Sequence, residues 1–170
     1  MDLSHVAPEI DALRQGMDWD SEDLGRKQVL VETTYGDSHP GSVHLDQLAR
    51  QCADGLKYSG AKPSHFTVTD ICDGIAQGHE GMNYSLVSRE IIAGMSEIHA
   101  KANGFDGMVV ISGCDKSVPA HLMAMGRLNL PSIHIPGGVM PTGANQFTLE
   151  QIGAVSVELK QQRICEKEFH

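Results

Sequence analysis

Hydrophobic positions along the chain switch repeatedly between two periods. Short apolar or β-branched runs, Gln28 to Thr33, His65 to Thr69, Met108 to Ser112 and Ser132 to Ile135, alternate with longer stretches whose apolar residues recur at helical spacing. That spacing predicts helices near Val43 to Lys57, Leu86 to Ala102 and Val118 to Leu128, and a last one from about Leu149. Leu45, Leu48, Cys52 and Leu56 share one helical face, and Leu86, Ile91, Met95 and Ile98 share another. Met108 to Ile111 is apolar without interruption, the pattern of a strand covered on both sides. Strand, helix, strand in repeated order predicts an α/β fold, a parallel sheet with helices on both faces. Ahead of it, residues 1–27 read as an amino-terminal arm with a short helix from Pro8 to Gln15 and a polar, acid-rich stretch. Residues 28–170 read as one domain.

Composition narrows the partners. At 170 residues and 41% hydrophobic, the chain can bury a core of ordinary size. Its 22 acidic residues outnumber 13 basic ones, for a formal charge of -9, and no Lys/Arg cluster is present to track phosphates, so nucleic acid is not an expected partner. The first thirty residues lack a basic start and apolar run, and no stretch has the length of apolar sequence that spans a bilayer. The expected compartment is the cytoplasm, where Cys52, Cys72, Cys114 and Cys165 are thiols, ligands or packing groups rather than disulfides.

Ligands of open parallel sheets collect beyond the carboxyl ends of the strands, a rule that singles out two loops. The strand ending at Thr69 runs into Asp70-Ile71-Cys72-Asp73-Gly74, and the strand ending at Ser112 into Gly113-Cys114-Asp115-Lys116-Ser117. At equivalent points on what are expected to be neighbouring strands, each loop sets a soft thiolate donor, Cys72 or Cys114, beside a hard carboxylate, Asp73 or Asp115. Thiolates suit iron or zinc and carboxylates suit magnesium, so one crevice can hold both kinds of centre. The competing account is that strand ends favour Asp and small residues. Lys116, at the start of a helix capped by Ser117, reads either as a base or ligand with a lowered pKa or as a solvated lysine paired with Asp115.

Other motifs are excluded or left open. Gly113 to Ser117 is not a phosphate loop, because Asp115 stands where a glycine is required before Lys-Ser. Gly78-His79-Glu80-Gly81-Met82 lacks the second histidine of a zinc protease, Asn83 standing there instead. Ser85 reads as a ligand contact or a helix cap, and Gly137 and Gly138 as a backbone cradle for an anionic substrate or a plain turn. Met123, Met125 and Leu128 read as core. His39, His44 and His65 have no partner at metal-ligand spacing and are expected to be structural or solvent-facing.

DGIAQGHEGMNYSLVSRE (73–90) and FDGMVVISGCDKSVPAHLMAMGRLNLPSIHIPGGVM (105–140) closely resemble the dihydroxy-acid dehydratase and phosphogluconate dehydratase family, which includes sugar-acid (aldonate) dehydratases. The resemblance implies a hydro-lyase that removes water from a 2,3-dihydroxy carboxylic acid, such as an aldonic acid or 2,3-dihydroxy-3-methylbutanoate, to give a 2-keto acid. It implies an iron-sulfur cluster (2Fe-2S or 4Fe-4S) acting on the leaving hydroxyl and Mg2+ at the carboxylate end. Cys114 then resembles a cluster ligand, Asp73 and Asp115 resemble magnesium ligands, and Lys116 resembles the family's carbamylated lysine. The family's Pro-Cys-Asn is here Pro40-Gly41-Ser42, and Cys72 is the expected replacement for the absent thiolate. The family is several hundred residues longer; its third cluster cysteine, a further carboxylate ligand and its serine base lie beyond the point matching His170. Cys165 matches none of these. This chain alone is therefore expected to bind a cluster poorly and turn over little. The alternative is a non-catalytic domain that folds or associates without a metal centre. The resemblance also implies a homodimer at full length.

Overall fold

The computed structural model describes residues 6–169, which divide into two compact units with the boundary between Gly138 and Val139. The arm boundary predicted near residue 27 falls inside the first unit. There, α1 (Glu9–Gln15) and α2 (Ser21–Gly25) precede β1 (Gln28–Thr33), α3 (Leu45–Tyr58) and β2 (Lys62–Thr67). Then come α4 (Asp73–Ala76), a 3-10 turn (Glu80–Tyr84), α5 (Ser85–Asn103), β3 (Gly107–Ser112), α6 (Ser117–Leu128) and β4 (Ser132–Pro136). The second unit carries a 3-10 turn (Ala144–Gln146), α7 (Leu149–Lys160) and α8 (Glu166–Phe169). α7 opens on a capping box in which Thr148 accepts from Gln151 N–H and the Gln151 side chain accepts from Thr148 N–H. No helix among the described residues is long and apolar enough to cross a membrane.

All four strands are parallel, in the order β2-β1-β3-β4, with Val31 opposite both His65 and Val109 and Val109 opposite Ile133. The side-chain period of two then divides the sheet. Val31, Val109 and Ile111 face α3 and pack on Leu45 and Ala49. Leu30, Met108 and Val110 face the other way, against Ala100 of α5 and Met125 and Leu128 of α6. Helices thus cover both faces, and fully burying each large aliphatic side chain contributes roughly 1.5–3 kcal/mol.

Three expectations need correction. β2 lies a few residues earlier than the predicted His65 to Thr69 because it begins at Lys62 and admits Pro63; an edge strand tolerates proline. The loops bearing Cys72 and Cys114 follow β2 and β3, which flank β1 rather than each other. The buried face of α5 is not Leu86, Ile91 and Ile98, which are 60%, 48% and 70% exposed, but the small residues Ser85, Ser88, Ala93, Ser96 and Ala100 with Ile92. Close approach of α5 to its neighbours selects side-chain size over hydrophobicity there.

The sheet also carries a buried polar chain. Glu32, in the middle of β1, is fully buried; Ser96 of α5 donates to its Oε1, and His121 Nε2 of α6 lies 3.3 Å from the same oxygen. His121 Nδ1 and His134 Nε2 each lie 3.0 Å from the Ser112 hydroxyl, which bridges them. Burial, followed by the nearby His121, pushes the His134 imidazole below its ordinary value. At the other end of the strands, Asp106 ties β1 to β3: Gln28 N–H donates to its Oδ2 at 3.1 Å and Lys27 Nζ to its Oδ1 at 3.2 Å. Burial acts to raise the Asp106 carboxyl, but hydrogen bonds led by that of Gln28 N–H outweigh it, and the group sits at about 2 rather than 3.8.

Glu32→Ala removes the carboxylate that the Ser96 hydroxyl and the His121 ring both face in the core, and is expected to lower unfolding free energy by roughly 3 kcal/mol or more in urea titrations. Glu32→Gln, which keeps an acceptor for Ser96, is expected to lose less. Because the folded pKa of Asp106 is depressed, its stabilisation is complete above about pH 4 and is lost as pH falls toward about 2. Urea midpoints measured between about pH 5 and pH 2 should therefore fall more steeply for the wild type than for Asp106→Asn.

Candidate functional site

The chain passes from β1 to β2 on one side and from β2 to β3 on the other side of β1, so the carboxyl end of β1 is the switch point of the sheet. Crevices of open α/β sheets form there. Three loops meet at this edge. After β1, Thr34 N–H still donates to Ile111 O, and the chain then folds back on itself, with Ser42 Oγ donating to Gly36 O at 2.8 Å and Ser42 N–H to His39 O. After β3, Gly113 lets the backbone come so close to the first loop that an added Cβ would lie 2.5 Å from Gly41 O. After β4, Gly137 fits against Leu45 and Gly113, where an added Cβ would lie 2.6 Å from Leu45 Cδ2.

The loops bring most predicted residues together. Lys116 Nζ donates to Asp73 Oδ2 and to Asp115 Oδ2, both at 2.6 Å, so the lysine joins the loop after β2 to the loop after β3. Hydrogen bonds from Lys116 and then Ser85 hold the Asp73 carboxyl below its ordinary value. Asp115 and Asp73 in turn raise Lys116, which stays an ammonium as long as both carboxylates hold it. Ser85, at the start of α5, is 5% exposed. Ser117 begins α6 instead of capping it from outside, and its hydroxyl accepts from Cys114 N–H at 3.3 Å.

Cys114 sits deeper in the crevice. Burial first, then the negative charges at Asp70, Cys72 and Asp115, push its thiol up to about 12. A thiolate is stable in such a place only with a cation to offset those charges. The donors fit a metal: buried Asp73 Oδ1 has no hydrogen-bond partner, and Asp70 Oδ2 and His39 Nε2 are likewise buried and unpartnered. Cys72 precedes α4 as its cap residue, within electrostatic reach of Cys114.

One predicted contact, Gly137, is already engaged, and one histidine lies nearer the site than its spacing suggested. Gly137 N–H donates to Ser112 O at 2.8 Å, and Gly137 O bonds to His44 Nε2 at 2.7 Å. The carbonyl and N–H of Gly137 are therefore used by the fold, while Gly138, at φ +97, makes the exposed turn behind it. His44 is structural, as expected, and His65 is exposed. His39 is not solvent-facing: only 4% exposed, it places Nδ1 3.8 Å from Cys114 Sγ and Nε2 3.6 Å from Asp70 Oδ2. His39, Asp70 and Cys114 are the one set of three among the described residues whose donor atoms all lie within 4.8 Å. They lie 31 and 44 residues apart in sequence, so no local spacing marks them. A polar cavity of about 330 Å³ opens beside His39 and Asp70, lined also by Thr34, Ser38, Thr67 and Thr69.

The family described as "Dihydroxy-acid/6-phosphogluconate dehydratase N-terminal" matches residues 26–170. Dihydroxy-acid dehydratase of Caldicellulosiruptor saccharolyticus is 45% identical over 132 residues, covering 78% of this chain and 24% of that protein. The Methanosarcina barkeri protein of the same name is 47% identical over 124 residues (73% and 22%), and that of Pyrococcus abyssi 40% identical over 165 residues (93% and 29%). The chain spans about a quarter of the length of the curated relatives it matches.

Gly113→Ala forces apart the two loops that flank Cys114. It is expected to lower stability by roughly 1–3 kcal/mol, read from the urea midpoint. Gly126→Ala is the control: this α6 glycine has nothing within 4 Å of an added Cβ, and the change should be neutral or stabilising by about 1 kcal/mol.

Proposed function

The chain belongs to the dihydroxy-acid/6-phosphogluconate dehydratase family, and from that premise we propose that it supplies the metal-holding part of a hydro-lyase site. The reaction is loss of water from a 2,3-dihydroxy carboxylic acid to give an enol and then a 2-keto acid. The observation that carries this reading is the meeting of Asp73, Asp115 and Lys116 beside half-buried Cys114 at the switch point. Cys114 and Cys72 are the thiolates for an iron-sulfur cluster, and Asp73, Asp115 and a carbamylated Lys116 the oxygen ligands for magnesium. When bound, these groups supply Lewis acidity at the 3-hydroxyl and at the carboxylate end of the substrate.

The chain's own residues set the frame for that chemistry. Lys116 holds Asp73 through Oδ2, leaving Oδ1 as a free lone-pair donor in a buried position. His44 fixes the turn at Gly137 and Gly138, which borders the substrate's approach in this reading. The polar cavity beside Thr34, Ser38 and Thr69 suits a hydroxylated carbon chain better than an apolar one. Aldonic acids and 2,3-dihydroxy-3-methylbutanoate both belong to the class, and a homodimer of the full-length protein in the cytoplasm is part of the same proposal.

A second reading has one observation in its favour. Lys116 already bridges Asp73 and Asp115, so the domain has an internal cation in place that offsets part of their charge and can fold and associate as a non-catalytic unit.

Anaerobic reconstitution with ferrous iron and sulfide separates the two. The dehydratase reading expects the full-length protein to take up iron and sulfide, uptake that Cys114→Ser reduces at least tenfold and Cys72→Ser reduces several-fold, and then to dehydrate xylonate or 2,3-dihydroxy-3-methylbutanoate. Equal uptake by wild type and Cys114→Ser would sink it.

A further inference from the structure

We propose that His39 is a nitrogen ligand to the same metal centre as Cys114, with Asp70 holding its other ring nitrogen. The inference rests on the reading above and adds to it a ligand of a different element.

Three observations carry it. The His39 ring lies at the thiol: its Nδ1 is 3.8 Å from Cys114 Sγ, two donors side by side in a buried setting. The opposite nitrogen, Nε2, faces Asp70 Oδ2 at 3.6 Å; these side chains are 1% and 2% exposed, and neither atom has a hydrogen-bond partner. A ligating imidazole regularly gives its second N–H to a carboxylate, which fixes the tautomer and leaves the first nitrogen's lone pair for the metal. Asp70, His39 and Cys114 stand in that order. The third observation concerns Gly41. A Cβ there would lie 3.4 Å from Cys114 Sγ and 3.2 Å from His39 Nδ1, so the imidazole nitrogen fills the space into which any longer side chain at 41 would grow. This chain offers a nitrogen where position 41 offers no thiolate.

The donor set fixes the class of metal. One thiolate and one neutral imidazole suit iron or zinc and not magnesium, and iron-sulfur centres with mixed cysteine and histidine ligation have higher reduction potentials than all-cysteine ones. Cys72 lies outside this set of three and stays available as a further thiolate.

The test uses the full-length protein reconstituted anaerobically with ferrous iron and sulfide, then reduced with dithionite. Pulsed electron paramagnetic resonance should show nitrogen hyperfine coupling, and labelling the histidines with nitrogen-15 should change it in the ratio of the nuclear moments. His39→Ala should abolish the coupling and lower iron content several-fold, with far-ultraviolet circular dichroism confirming that the variant is folded. The double variant His39→Ala, Gly41→Cys puts a thiolate into the vacated space and should regain iron without the nitrogen coupling. A wild-type centre with no coupling, or a His39→Ala protein with unchanged iron and spectrum, overturns the inference while the dehydratase reading stands. Absence of any iron and sulfide uptake by the full-length wild type, or uptake independent of Cys114, overturns both.

Discussion

Contact between backbones, rather than between side chains, sets the geometry of the carboxyl edge. The loops after β1, β3 and β4 meet at Gly41, Gly113 and Gly137, and at Gly113 and Gly137 an added methyl group would collide with its neighbours. Only this approach brings Cys114 beside His39, and it fixes the start of α6, from which Lys116 reaches across to Asp73. The sheet makes the approach possible because β1, the strand before the switch point, is hydrogen-bonded on both sides. A crevice built from main chain gives up little conformational entropy on binding and keeps its donors at fixed spacing.

Beneath that edge, the two faces of the sheet differ in kind. The α3 face is apolar, filled by Leu45, Val31 and Ile111. The opposite face threads Ser96, Glu32, His121, Ser112 and His134 through five successive elements. A polar chain in a low-dielectric interior is strong when satisfied and costly when broken, and so it selects one packing of α5 and α6 on the sheet among many. Small residues on the inner face of α5 let that helix come close enough for Ser96 to reach Glu32.

Much of this was legible in the sequence, and the limits have physical causes. β1 was read at its observed bounds, and α3, α6, β3 and β4 to within about two residues, because period and burial agree there. Asp73, Asp115, Lys116 and Cys114 could be placed at one edge of the sheet because each stands just past a strand or at a helix start, where local order implies position. α2 was missed because its signal is a polar capping box, Asp20 with Asp23, inside an acid-rich stretch. The face of α5 was misread because apolar spacing marks hydrophobicity, while the fold there selects for size. His39 was passed over because its partners come from loops after β2 and β3, and only the topology of the sheet unites them.

Pro63 shows how one residue shapes what the chain does in a crowded solution. Lys62 N–H and Val68 N–H donate toward β1, so by the alternation of a parallel ladder the nitrogen of Pro63 faces the open side of β2, where it has no proton to give. The neighbouring Lys62 is held by Asp23 of α2, which brings a helix against the same strand. An edge lacking a donor near its start is a poor template for a further strand. The feature that displaced the strand from its predicted position thus also guards the sheet against templated, fibre-like growth.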